Sequence, residues 1–285
     1  MEGIGNATYQ KLLERFNDPE TILLDATEEE ILTIPRINKR IAKSIISARE
    51  RIEQTDGLIE GLNRSNIKII TSNDHSYPER IKILKNPPAL LYMLGEYKNT
   101  QKKVKHPPSF GRAVAIVGST MPSQKGYKIA KECAKRLVRK GYTIVSGYAK
   151  GIDTAAHLGA LEAGGTTIMA IPTGISHFRV RLPFNSTIVK ERAVVISESF
   201  PTQNWTVGAA MSRNKLIVAL SDAVIIAETR AKGGSMTTFN IAKQLGIKTF
   251  TIKYSNPPPS ALGNSILLEQ GAIPISRLSD IEYLT

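Results

Sequence analysis

The chain has 285 residues, 41% hydrophobic and 22% charged, the balance of a globular protein with one large α/β domain and a smaller companion, which excludes disordered and fibrous classes. A single cysteine, Cys133, excludes an intrachain disulfide and fits a reducing, cytoplasmic setting. Net charge is +13 and unevenly placed: residues 1–110 carry 17 Lys and Arg against 15 Asp and Glu, residues 111–285 carry 21 against 10, a surplus that points to a polyanionic partner, nucleic acid first.

The opening MEGIGNATYQ lacks the basic-then-apolar pattern of a secretion signal, and the longest apolar run, LIVALSDAVIIAE, is broken by Ser221 and Asp222; no membrane segment is expected. Gly3 and Gly5 predict a turn before a helix in which Tyr9, Leu12, Leu13 and Phe16 recur at helical spacing. In DATEEEILTI, Asp25 or Thr27 is the candidate N-cap, with glutamates in the first turn where the helix dipole favours them. IPRINKRIAKSIISARERI repeats the turn-then-helix pattern. The two copies resemble tandem helix-hairpin-helix or SAM-like units, although Pro35 and Asn38 stand where glycines are usual, and a purely structural helical cap fits equally well.

Residues 66–97 predict two short apolar strands around a Pro-rich connection, and 98–112 read as a Lys- and Pro-rich linker. The expected organisation is a helical unit over 1–65, a strand-containing connector over 66–110 and a Rossmann-like domain over 111–285. In that last part, near-continuous apolar strands at 113–118, 142–147, 166–172, 193–199, 223–228 and 248–254 alternate with helices. Such a pattern predicts a doubly wound, mostly parallel sheet covered on both faces.

Ligands of these sheets bind outside the carboxyl ends of the strands. Four segments meet that edge: GSTMPSQKG (118–126), SGYAKGID (146–153), MSRNK (211–215) and TRAKGGSMTT (229–238). Glycines let backbone approach a phosphate and helix N-termini offer unpaired amides, so each loop can seat an anion, with Lys150, Arg213, Lys215 and Lys232 adding charge. The same glycines also make ordinary strand-to-helix turns. Asp153 and His157 share a helix face at i, i+4; an acid/base pair is one reading, and an N-terminal acid beside a bracing histidine is the one adopted here. G-x-G-x-x-G is absent after the 113–118 strand and no Walker motif occurs, so neither NAD binding nor ATP hydrolysis is expected. His75, His106 and His177 show no metal-ligand spacing. Neither a metal nor a cofactor is expected, and Cys133 reads as a packing residue.

AVAIVGST, GYTIVSGYAKGIDTAAHLGALEAGGTTIMAIPTGI, VISESFP, SRNKLIVALSDAVIIAE and GGSMTTFNIAKQLG follow one another as in the DNA-processing protein A (Smf) family, which the chain resembles over residues 66–254. The resemblance implies a non-enzymatic protein that binds single-stranded DNA, protects it during natural transformation and loads a RecA-type recombinase, acting as a homodimer. By motif position and loop placement it implies a strand-binding pocket formed by Gly118, Ser119, Ser146, Gly147, Lys150, Gly151, Asp153, His157, Arg213, Asn214, Lys215, Gly233, Gly234 and Ser235. Three departures stand out: Thr120 and Lys215 replace arginines of the family, and Arg179 and Arg181 occupy the segment where it carries Tyr-Pro. The rival readings are a phosphoribohydrolase-like enzyme or a nucleotide-binding sensor. The hydrolase motif P-G-G-x-G-T-x-x-E is altered here, Met236 replacing a glycine and Asn240 the acid, and a neutral amide cannot act as its carboxylate would.

Overall fold

The computed structural model describes residues 4–96 and 111–283. The expectations for Gly3, for most of the linker and for His106 fall outside the described residues.

The amino-terminal part is a set of short helices: α1 (Asn6–Phe16), α2 (Pro19–Leu24), α3 (Glu28–Leu32), α4 (Lys39–Ile46) and α5 (Ile52–Arg64). Capping residues set their limits. Asn17 ends α1 in the left-handed region at φ 61°, and Asp18 accepts from Thr21 N to begin α2. Thr27, not Asp25, caps α3, in a reciprocal box with Glu30. Asn38 caps α4. Leu12, Ile22, Ile31, Ala42 and Ile45 form a small core of their own.

The rest is one nine-stranded sheet. Its elements in chain order are β1 (Ile67–Thr71), β2 (Leu90–Leu94), β3 (Ala113–Val117), α6 (Gln124–Arg139), β4 (Thr143–Gly147), α7 (Ile152–Glu162), β5 (Thr167–Ala170), α8 (Ser186–Arg192), β6 (Ala193–Ser197), α9 (Val207–Ala219), β7 (Ala223–Ile226), α10 (Gly234–Gln244), β8 (Lys248–Ile252), α11 (Leu262–Glu269) and β9 (Ile273–Ile275). The spatial order is β1-β2-β6-β5-β4-β3-β7-β8-β9. All pairs from β6 to β9 are parallel, whereas β1 and β2 join antiparallel at one edge. Strand residues alternate between two cores. Ala115, Val117, Val224 and Ile226 pack towards α9 and α10, while Val114, Ile116, Ile144 and Ile225 pack against α6 and α7, as a sheet covered on both faces requires. Cys133 lies in the second core, fully buried, and burial pushes its thiol up to about 12.

The chain runs outward from β3 through β4, β5 and β6, then returns to place β7 on the other side of β3. The β3 and β7 connections therefore leave in opposite directions. That divergence opens a crevice at the carboxyl ends of these two strands, the usual ligand position in such sheets.

Candidate functional site

A cavity of about 450 Å³ fills this crevice. Its walls come from the turn after β3 (Gly118, Ser119, Thr120), from Ala149 and Asp153, from Arg213 and Asn214 on α9, and from Arg230, Lys232, Gly233, Gly234 and Ser235 ahead of and into α10. Close backbone approach builds the first wall. A β-carbon on Gly118 would stand 2.7 Å from Glu228 O, and one on Gly151, at φ 77°, would stand 2.3 Å from Ser119 O. Ser119 N donates to Glu228 O at 2.7 Å and Ile152 N to Ser119 O at 3.1 Å, tying the β3, β4 and β7 turns together.

Arg213 crosses the end of β4 over Gly147 and donates from Nη1 to Ala170 O at 3.2 Å. Its Nε is buried without a partner among the described residues. Asp153 lies beside it with 6% exposure, accepting from Ala149 N at 3.4 Å. It stands in the first turn of α7, and the N-cap is Gly151, so the first-turn placement is the one that occurs. Burial raises the Asp153 carboxyl above the usual range, with Arg213 pulling the other way. The same burial lowers Arg213, against the pull of Asp153.

His157 is fully buried and points away from the cavity, bridging Gly147 O at 2.5 Å through Nε2 and Thr167 Oγ1 at 2.7 Å through Nδ1. A carbonyl can only accept, so Nε2 carries the proton, and the bare Nδ1 faces the Thr167 hydroxyl, whose single proton is also within reach of Ile144 O at 2.8 Å. Burial depresses the imidazole to about 4, which leaves it a neutral brace for the β4 turn and removes the acid/base reading. Ser146 is likewise buried, its hydroxyl donating to Ile116 O at 2.6 Å.

Three of the four expected loops are strand-to-helix turns, whereas MSRNK lies inside α9 and meets the crevice only through Arg213 and Asn214 on the helix face; the helix termini at this edge differ in what occupies them. Glu228, fully buried at the end of β7, turns its carboxylate to the N-terminus of α6, accepting from Ser123 N at 2.6 Å, Ser123 Oγ at 2.7 Å and Tyr254 Oη at 3.0 Å. The protein's own acid thus fills the anion seat expected there. α9 begins under its own cap, Thr206 Oγ1 accepting from Ala209 N. At α10 the seat is open. Its N-cap Gly233, at φ 138° and ψ −175°, has a backbone essentially confined to glycine. A β-carbon there would meet nothing within 4 Å. The first amides of α10, from Gly234 to Met236, have no acceptor among the described residues, and the Asn214 amide lies across from Gly234.

Of the residues expected at the pocket, the structure gathers Gly118, Ser119, Asp153, Arg213, Asn214, Gly233, Gly234 and Ser235 on one cavity, together with Lys232. Gly147, Gly151, Ser146 and His157 shape the turns from behind. Lys150 is exposed and outside the cavity wall, and Lys215 is exposed on the side of α9 that faces Glu198. Arg181 donates to Tyr148 O at 2.7 Å and stacks over the Tyr148 ring, while Arg179 donates to Ser176 and Phe178 carbonyls. Neither reaches the cavity to replace the charge missing at Thr120. Arg179 instead borders a larger hollow of about 800 Å³ towards the amino end of β6, away from the glycine turns.

Sequence reasoning missed Trp205 and Arg230, both on the cavity wall. The lone tryptophan in the polar stretch PTQNWT was a readable signal. It also missed Asn264, whose buried side chain accepts from Thr229 N and donates to the Ala227 and Ile252 carbonyls, holding the β7 turn in place. Among the described residues no group of three or more His, Cys, Asp or Glu could hold a metal, and no helix is long and apolar enough to cross a membrane.

A doubly wound sheet with a cationic crevice at its switch point, preceded by short capped helices, defines a Rossmann-like α/β protein with a helix-hairpin-helix type amino-terminal unit. The family described as DNA recombination-mediator protein A matches residues 68–284, and a SAM-like helix-hairpin-helix tandem matches residues 1–51. The chain belongs to the DNA recombination-mediator protein A family, the DprA/Smf family. It is 32% identical over 217 residues to the DNA processing protein DprA of Bacillus subtilis, covering 75% of this chain and 70% of that one. The X-ray structure of DprA from Streptococcus pneumoniae superposes with a TM-score of 0.78 at 27% identity, covering 99% of this chain and 93% of that one. DNA processing protein A from Helicobacter pylori, whose structure was described for its single-stranded DNA binding mode, superposes with a TM-score of 0.62 at 27% identity over 77% of this chain and 97% of that one.

Proposed function

We propose that the protein binds single-stranded DNA at the crevice between β3 and β7, as a recombination mediator and not as an enzyme. The observation that carries this reading is the open N-terminus of α10, whose amides share one cavity with Arg213, Asn214 and Lys232. Unpaired helix amides and cations converging on one seat suit a phosphate. The +13 net charge and the family membership support the same reading. Loading of a RecA-type recombinase, protection of incoming DNA in transformation, a cytoplasmic location and a homodimer belong to the proposal through the family. The division into a helical unit over 1–65, a strand-containing connector over 66–110 and a Rossmann-like domain over 111–285 is proposed on the composition of the linker, with β1 and β2 of the connector joining the same sheet.

Phosphoribohydrolase chemistry is the weaker reading. Asn240 is exposed and off the cavity wall, and Asp153, the acid on that wall, lies against Arg213. The deciding experiment compares labelled oligo-dT, duplex DNA and RNA in a gel shift across a salt series. Single strands are expected to bind with little sequence preference and to weaken steeply with salt. Equal or tighter binding of duplex, or release of free base from nucleoside monophosphates, would overturn the proposal.

A further inference from the structure

Trp205 is the chain's only tryptophan. It stands just ahead of the Thr206 cap of α9, is 58% exposed, and lines the same cavity as Arg213 and the α10 amides. No ring or cation of another described residue stacks on it. Val207 and Met211, four residues apart and so on one face of α9, are 67% and 41% exposed. Of these three exposed apolar side chains, Trp205 is the one on the cavity wall.

The exposed part of the indole contributes no apolar burial to the fold. A protein partner fits poorly, because the exposed indole sits among Arg213, Arg230 and Lys232. An occupant that is anionic at one end and flat and apolar at the other satisfies both halves of the cavity. We infer that Trp205 is a stacking platform for one base of the strand whose phosphate sits on the α10 amides. The inference rests on the proposed DNA-binding reading and deepens it. It also supplies a physical source of single-strand preference: an unpaired base can offer its face to the indole, whereas bases in a duplex are already stacked.

Because Trp205 is the sole tryptophan, its emission reports the contact directly. Oligo-dT and an abasic oligomer of equal phosphate count are titrated into the parent, Trp205→Ala and Trp205→Phe, reading tryptophan emission for the parent and anisotropy of an end-labelled strand for all three. Oligo-dT is expected to quench the parent's emission, and the abasic oligomer to bind more weakly without quenching. Trp205→Ala is expected to lose roughly five- to a hundredfold in affinity for oligo-dT, to bind the abasic oligomer as the parent does, and to keep the parent's salt slope; Trp205→Phe retains most of the affinity. Melting curves check that all variants fold. Oligo-dT binding with unchanged emission and an unaffected Trp205→Ala variant would overturn the stacking role and leave the DNA reading standing. An equal loss for both oligomers, or a change in self-association in place of DNA affinity, would also overturn it. If neither oligomer binds at low salt, the DNA reading and the stacking role fall together.

Discussion

Arg213 lies across the end of β4 because residue 147 has no side chain: a β-carbon there would stand 1.7 Å from Nη1 and 2.5 Å from Asp153 Oδ2. Gly147→Ala is therefore expected to push the guanidinium off its seat and to cost about 1–3 kcal/mol by overpacking. Urea denaturation and oligo-dT affinity measured together check this. A variant matching the parent in both would show that the seat does not depend on Gly147.

Lys232 and Lys150 look equivalent in sequence, each beside a glycine in a strand-to-helix turn, but only Lys232 lies on the cavity wall. Lys232→Gln is expected to weaken oligo-dT binding and to lower the slope of log affinity against log salt by about one. Lys150→Gln should change that slope much less. Equal effects would place the strand across both turns, not in the crevice alone.

The His157 imidazole is held near 4 by burial, below the ordinary value of about 6.5 for histidine. Its contribution is full above about pH 6.5 and is lost as pH falls towards about 4, because the unfolded chain takes up a proton that the folded site refuses; the loss amounts to about 3 kcal/mol. Asp153, whose carboxyl is raised, contributes with the opposite sign. The informative comparison is therefore parent against His157→Gln, with urea midpoints followed across that window. A shallower acid dependence in the variant is expected, and parallel curves would contradict the neutral-brace assignment.

Glu228 serves the N-terminus of α6 in place of a ligand. Glu228→Gln removes the charge that accepts from Ser123 and Tyr254 and is expected to cost about 1–3 kcal/mol, read as a lowered melting temperature. DNA affinity should stay near the parent's, since the residue is not on the cavity wall.

Much of the fold was legible because it rests on local pattern. Apolar runs of five or six residues broken by glycine turns mark the strands from Ala113 onward, and the Thr27–Glu30 box and the Asn38 cap are visible as residue types at fixed spacing. The site was legible only in outline. Gly118, Arg213 and Gly233 stand at recognisable turns, but nothing near Ser123 announces that its amide is already taken by Glu228, 105 residues later. Nor does the segment around His157 show that its ring is spent on Gly147 O and Thr167.

The sequence by itself determined the alternation of strands and helices, the glycine turns and the basic surplus, since periodicity, backbone freedom and charge are properties of neighbouring residues. Only the tertiary structure decided that Glu228 closes the terminus of α6 while that of α10 stays open, and that Trp205 borders it. Whether a helix terminus is free depends on which distant side chain the fold delivers to it, and that is set by the return of the chain to β7 beside β3.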